Sequence, residues 1–211
     1  MKQHFLLIRL ANLFAVSIYF LLTACDQQPE KLPILGYREP VEKVVDGETV
    51  IDTIYHTVSD FSFVDQDSQT VDLNTLKGKI YVANFFFATC PTVCPKMQAN
   101  LLPYFEAYKN HPEVVILSHT IDPQHDTVGV LKDYAVRMGI DGSNWRLLTG
   151  KQQEILASAQ QNYFTSAMID GSAPGGFMHA SYLVLVDKNR HIRGIYEGLE
   201  PEKVQQLIAD T

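Results

Sequence analysis

Short apolar runs alternate with stretches of helical periodicity from about residue 50 to the C-terminus. Residues 79–87 form a continuous apolar run, which predicts an interior strand covered on both faces of its sheet. Shorter β-type runs predict further strands at residues 60–65, 114–118, 145–148, 181–186 and 191–196. Apolar residues at helical spacing predict helices within residues 97–108, 131–138, 155–159 and 204–208. This alternation indicates an α/β domain whose central sheet is flanked by helices.

Two local signals refine these elements. The segment 187–190 between the last two strands fits a hairpin turn. Thr149 and Gln152 have the spacing of a capping box, which predicts a helix N-terminus at Thr149.

The first 24 residues follow a different pattern and contain no Asp or Glu. Lys2 and Arg9 precede an apolar run at residues 10–22. Its length matches the roughly 7–15 residues of a signal-peptide core better than the roughly 20 residues of a spanning helix. An uncleaved membrane anchor over residues 5–24 is the alternative.

Leu-Thr-Ala-Cys25 at the end of this segment resembles the lipobox of bacterial lipoproteins. The resemblance implies that residues 1–24 are a signal peptide and that Cys25 carries a lipid. Asp26 resembles the signal that retains such proteins in the inner membrane of Gram-negative bacteria, which implies a lipid-anchored domain facing the periplasm. Proline-rich residues 25–50 are predicted to be the lipidated N-terminus and an extended tether, and residues 51–211 the folded domain.

Composition excludes several classes of protein. With 46% hydrophobic and 19% charged residues, the 211-residue chain is typical of a globular protein. Its net charge of −7 argues against a nucleic-acid partner bound through a basic surface. Three cysteines are an awkward number for a disulfide framework.

Cys90 and Cys94 directly follow the predicted interior strand and stand at the start of a predicted helix. A helix N-terminus stabilises thiolate and makes sulfur a better nucleophile or ligand. A spacing of four puts both sulfurs on one helical face, where they could hold one metal ion or, after rearrangement, form a disulfide. Two thiolates suit Cu(I) or Zn(II). The alternative is a pair of small buried hydrophobic residues.

His179 is the best candidate for a third ligand among the seven histidines. It follows a glycine-rich loop and leads into the predicted strand 181–186, where it could reach the N-terminus of the cysteine-bearing helix. His119, beside the Asp122 loop, is a second candidate. His4 lies in the signal segment, and the remaining histidines are predicted at the surface: His56, His111, His125 and His191.

Three segments together resemble the motifs of the SCO/SenC family of copper-binding proteins: FFFATCPTVCP, IDPQHDT and FMHASYLVLVD. The resemblance covers roughly residues 55–210. It implies a membrane-tethered protein with a thioredoxin-like fold, in which an N-terminal β extension precedes a central mixed sheet.

The same resemblance implies that Cys90, Cys94 and His179 bind copper, as Cu(I) or Cu(II). It also implies that Asp122 lies close to the metal and acts on it through its ligands. One departure is Ala180, where the family usually has Ser or Thr after the histidine.

Three functions are consistent with these residues. The first is a copper metallochaperone that supplies the dinuclear copper centre of cytochrome c oxidase. Its client is then an oxidase subunit, and the lipid anchor tethers the protein to the membrane. The second is a thiol–disulfide reductase in which Cys90 or Cys94 attacks a client disulfide, although Cys-x₃-Cys differs from the usual redox spacing. The third is a peroxide-reactive or redox-sensing thiol.

Overall fold

The structure is a computed structural model that describes residues 31–140 and 144–211. The predicted signal peptide and Cys25 lie outside the described residues. Within the described part, no helix has the length and apolar character needed to cross a membrane.

Strands and helices follow the predicted alternation. The strands are β1 (Arg38–Val45), β2 (Glu48–Tyr55), β3 (Ser62–Asp65), β4 (Thr70–Asp72), β5 (Ile80–Phe86), β6 (Val114–Thr120), β7 (Trp145–Thr149), β8 (Ala167–Ile169), β9 (Phe177–His179), β10 (Tyr182–Val186) and β11 (Ile192–Glu197). The helices are α1 (Val93–Tyr108), α2 (Val128–Met138), α3 (Gln152–Ala157) and α4 (Pro201–Asp210). A π-helical turn, Ser158–Asn162, continues α3.

Seven strands form the main sheet in the order β11-β10-β5-β6-β7-β3-β4. The pairs β5–β6 and β6–β7 are parallel, whereas the outer strands pair antiparallel, so the predicted mixed sheet is confirmed. Every residue of β6 and nearly every residue of β5 is buried, as expected for strands covered on both faces. Strand β10 lies directly beside β5. The cysteines that follow β5 and the histidine that precedes β10 are therefore carried by neighbouring strands.

The predicted tether is wrong in its second half, because residues 38–55 form the antiparallel hairpin β1–β2. The predicted domain boundary between residues 50 and 51 therefore falls inside β2. Asp46 and Gly47 both have positive φ, as a tight two-residue hairpin turn requires. The Asp-Gly pair between β-type runs is the sequence signal for this turn.

The predicted capping box is also wrong. Helix α3 begins at Gln152 after Lys151, and no side chain caps it. Thr149 is the last residue of β7, where its backbone belongs to the pairing with β3. Tertiary strand pairing therefore overrides the local capping signal.

Candidate metal centre

The two cysteines lie at the junction between β5 and α1. Cys90 stands in the connecting loop, three residues before the first helical residue, and Cys94 lies in the first turn of α1. The backbone N–H of Cys94 donates to the Cys90 sulfur over 3.4 Å. Thus the sulfurs approach each other across the loop–helix junction instead of along one regular helical face. Both cysteines are free thiols.

His179 completes the cluster from the opposite side. It ends β9, whose antiparallel partner is β8, and the predicted glycine-rich loop connects these two strands. Its Nε2 lies 3.1 Å from the Cys94 sulfur. The two sulfurs and one histidine nitrogen all lie within 4.8 Å of one another. The structure therefore brings together the three residues predicted to be ligands.

The tautomer of His179 is set by a backbone contact. Its Nδ1 lies 2.9 Å from the carbonyl oxygen of Ala180, which can only accept a hydrogen bond. Nδ1 therefore carries the proton, and Nε2 keeps its lone pair directed towards the sulfurs. This is the usual arrangement of a metal-binding histidine, whose other ring nitrogen donates to the protein.

The two thiols differ in acidity. Burial alone raises the pKa of Cys90, but hydrogen bonds from the Cys94 thiol and from the backbone N–H groups of Thr92, Val93 and Cys94 outweigh it, so the pKa lies below its ordinary value. Burial, together with the hydrogen bond that Cys94 makes to Cys90, raises the pKa of Cys94. Burial also lowers the pKa of His179, against the opposing bond to Ala180. A neutral imidazole and one activated thiol are therefore available to a metal ion.

Aromatic packing positions the histidine strand. The Phe87 ring, directly after β5, contacts the Phe177 ring at 5.2 Å and stands edge-on to His179 at 6.1 Å between ring centroids. Gly175 lies so close to this ring that a Cβ there would stand 2.6 Å from Phe87. Phe87 therefore joins the cysteine loop to the hairpin that carries His179.

Asp126 supports the cysteine loop, a role that the sequence analysis missed. Its buried carboxylate accepts hydrogen bonds from the Ala88 N–H at 2.9 Å and from the Thr120 hydroxyl at 2.5 Å. Ala88 is two residues before Cys90, so Asp126 ties the cysteine loop to the end of β6. The signal for it was an aspartate four residues after Asp122 in the same loop.

Asp122 itself is half-buried, and its backbone carbonyl accepts from the N–H groups of His125 and Asp126. Its carboxylate does not belong to the donor cluster found among the described residues. An effect of Asp122 on the metal therefore stays a prediction.

His119 lies apart from the cluster. It is fully buried on β6 with its ring stacked on Phe85, and Phe63 and Tyr163 close around it. The metal-binding cluster does not include it. His119 is thus a core residue and not a ligand.

The donor set fits a soft, thiophilic ion. Sulfur and imidazole ligands bind first-row ions at about 2.0–2.3 Å, which separates neighbouring donor atoms by roughly 4 Å. The separations of at most 4.8 Å therefore need only a small contraction. Two thiolates and an imidazole are ligands that suit copper, and a cavity of about 240 Å³ lined by Cys90 and His179 gives access to them.

Comparison with known proteins agrees with this geometry. A model of the family described as SCO1/SenC matches residues 52–211. The chain belongs to the SCO1/SenC family. The "SCO1 protein homolog" of Bacillus subtilis is 28% identical over 166 residues, which cover 78% of this chain and 86% of that protein.

Solved structures of SCO1/SenC proteins share the fold. A SCO1/SenC family lipoprotein from Bacillus anthracis superposes with a TM-score of 0.67 at 30% identity, covering 74% of this chain and 92% of that one. BsSco, described as having a disulfide switch and as a member of a family of cytochrome c oxidase assembly proteins, gives 0.63 at 28% identity, with coverages of 74% and 92%. The thioredoxin-like fold predicted for this chain is confirmed.

A copper-bound structure also superposes on the chain. ScoI of Arabidopsis thaliana, solved with copper bound, gives a TM-score of 0.61 at 22% identity, with coverages of 73% and 97%. At this identity the likeness shows a common fold. Copper, the predicted metal, is the ion that the family and the donor set both indicate.

Proposed function

We propose that this SCO1/SenC protein is a membrane-tethered copper metallochaperone that binds copper through Cys90, Cys94 and His179. The observation that carries the proposal is the convergence of two sulfurs and one imidazole nitrogen within 4.8 Å. Membership of the SCO1/SenC family and the donor set of two sulfurs and one imidazole support the choice of copper. The thiolates favour Cu(I), and the imidazole also accommodates Cu(II).

The proposed client is the dinuclear copper centre of cytochrome c oxidase. Support comes from BsSco, whose family is described as assembling that oxidase. Of the two thiols, Cys90 keeps a small exposed surface and has a lowered pKa, whereas Cys94 is fully buried. A client thiolate can therefore approach the metal on the Cys90 side and exchange with it.

The proposed location is the periplasmic face of the bacterial inner membrane, with a lipid on Cys25. Support comes from the lipobox-like sequence and from the Bacillus anthracis relative, which is described as a lipoprotein. A tether raises the effective concentration of the copper site near a membrane-bound client. Mass spectrometry of the mature protein tests this part, because the proposal requires an N-terminal lipidated Cys25 and loss of residues 1–24.

Anaerobic copper titration tests the metal site. The wild-type protein should bind one copper ion, with thiolate-to-copper charge-transfer bands in the Cu(II) form. The variants Cys90→Ser, Cys94→Ser and His179→Ala should each lose those bands and bind Cu(I) more weakly. His111→Ala removes an exposed histidine and is the matched control. Unchanged affinity in His179→Ala would contradict the ligand assignment.

A thiol–disulfide reductase is a second candidate function, favoured by the asymmetry of the two thiols. The lowered pKa of Cys90, which is 7% exposed, suits it to attack a client disulfide, and fully buried Cys94 lies in position to resolve the mixed disulfide. The test is turnover of a disulfide substrate by metal-free His179→Ala. Turnover equal to wild type and abolished by Cys90→Ser supports this function, whereas no turnover in either protein rejects it.

A further inference from the structure

Two methionines form an exposed pair on the hairpin that carries His179. Met168 of β8 and Met178 of β9 stand directly opposite each other in the strand register. The two residues are 40% and 45% exposed. The other methionines of the described chain differ, because Met97 is fully buried and Met138 is partly buried against the core. Among the described residues, exposed methionine is thus confined to this pair.

The pair adjoins the metal centre. Met178 directly precedes His179, and it lines the same cavity as Cys90 and His179. His179 itself pairs with Ala167, so the methionine pair and the histidine occupy successive rungs of one two-stranded ladder. Successive side chains of a strand point to opposite faces, so a ligand held by the two methionines would lie on the outer face of the hairpin, one rung from His179, and would reach the cavity along the edge that Met178 lines.

The chemistry of the pair favours Cu(I). Thioethers are soft ligands that select Cu(I) over harder ions and, unlike thiols, need lose no proton to bind it. Side chains directly opposite on antiparallel strands have Cβ atoms about 4.5–5.5 Å apart. Two sulfurs that bind one ion at about 2.3 Å stand about 4.6 Å apart, which flexible methionine side chains reach without moving the backbone.

We propose that Met168 and Met178 form a second, weak Cu(I) site, which receives the ion at the surface and passes it to Cys90, Cys94 and His179. The inference rests on the proposed copper function and adds the route by which copper enters. Its cargo is Cu(I) delivered by a labile donor complex.

The transfer is a ligand exchange without a change in oxidation state. Bonds from the ion to the Met168 and Met178 sulfurs break as bonds to the Cys90 and Cys94 sulfurs and to His179 Nε2 form. The protons of the two thiols pass to water. The pair must bind weakly, since a two-thioether site as strong as the dithiolate site would retain the ion.

Methionine-methyl NMR tests the pair directly. The full chain carrying Cys90→Ser and Cys94→Ser, labelled at the methionine methyl groups, is titrated with Cu(I) or with Ag(I) as a redox-inert soft ion. The Met168 and Met178 signals should shift together along one binding curve, while the Met97 and Met138 signals stay in place. Absence of a shift, or equal shifts at Met138, overturns the proposal.

Loading kinetics test the route. In the chain with both cysteines, Met168→Leu combined with Met178→Leu keeps the apolar shape and removes both sulfurs. It should slow Cu(I) loading from a chromophoric chelate by about tenfold, through loss of local concentration, and leave the final copper affinity unchanged. Met138→Leu is the control and should load like wild type. Wild-type loading by the double leucine variant would show that the surface serves only as an apolar contact, and would overturn the route.

The two tests separate this inference from the proposed function. If the unmodified cysteine site fails to bind copper, the proposed function fails, whatever the methyl signals do. If that site binds copper while the methionine signals and loading rate stay unchanged, only the entry site is wrong.

Discussion

Asp126 acts at the scale of a single residue, because one carboxylate holds both the cysteine loop and the end of β6. Asp126→Ala leaves the Ala88 N–H and the Thr120 hydroxyl without their acceptor, which should cost about 1–3 kcal/mol in the free energy of unfolding. Loss of such a supporting contact should also lower copper affinity by about 10–100-fold. Urea denaturation and competition with a Cu(I) chelator measure the two effects.

Asp122→Ala is the matched control variant. Asp122 lies in the same loop, but its hydrogen bonds go to Thr120, His125 and Asp126 and not to the cysteine segment. It should leave the copper affinity close to wild type. A larger loss of affinity in Asp122→Ala than in Asp126→Ala would instead support the role that family resemblance implies for Asp122.

His119 makes stability depend on pH. Burial lowers its pKa from 6.5 to about 4, and its Nε2 has no hydrogen-bond partner among the described residues. Between pH 6.5 and about pH 4, His119 binds a proton in the unfolded chain but not in the folded chain. The contribution of His119 to the free energy of unfolding is therefore fully present above pH 6.5 and is lost as the pH falls towards 4. The loss from this histidine should approach about 3 kcal/mol.

The measurement is the urea midpoint of the metal-free protein across that pH range. His119→Leu replaces the imidazole with an apolar side chain of similar size, so this part of the pH dependence should disappear. A variant with the same acid-dependent loss as wild type would show that other groups cause it.

At the scale of elements, the turn before β9 positions His179. Gly175 and Gly176 both have φ of +84°, but only a Cβ at Gly175 would meet Phe87, whereas no atom of the described residues lies within 4 Å of one at Gly176. Gly175→Ala and Gly176→Ala should therefore share a backbone cost of about 1–2 kcal/mol. Only Gly175→Ala should also displace the hairpin and weaken copper binding.

Thermal denaturation and Cu(I) affinity of the two variants measure this difference. Equal affinities would mean that contact between Phe87 and the turn does not position His179. Because both glycines have the same positive φ, Gly176→Ala controls for strain in the turn itself.

At the scale of the whole molecule, the β1–β2 hairpin is attached to the domain mainly at its base. His56 Nε2 lies 2.9 Å from the Asn162 carbonyl oxygen, and the Tyr37 and Phe164 rings meet at 5.2 Å. Every hairpin residue is exposed or half-exposed, unlike the fully buried β6. Isolated two-stranded hairpins are marginally stable in water.

Hydrogen exchange should therefore divide the chain into two levels of protection. Amides of β1 and β2 should exchange through local opening, well before those of β5 and β6, whose exchange requires global unfolding at roughly 5–15 kcal/mol. Peptide-level mass spectrometry measures both. Equal protection of the hairpin and β6 would show that the hairpin unfolds only with the domain.

Local pattern determined much of this protein. Apolar runs and helical spacing identified the order of strands and helices in the domain, because each depends on neighbours only a few positions away. The position of Cys90 and Cys94 at a strand–helix junction indicated a soft metal site from residue chemistry alone. The same local reasoning failed at residues 38–50, where an Asp-Gly turn makes a hairpin of the predicted tether.

Tertiary structure decided what the site contains beyond the cysteines. His179 reaches Cys94 across 85 positions because β10 pairs with β5, and strand order is set by packing of the whole sheet. The same packing makes Asp126 a support of the cysteine loop and buries His119 away from the metal. Met168 and Met178 likewise face each other because of the strand register, which cannot be read from the spacing of the two residues along the chain.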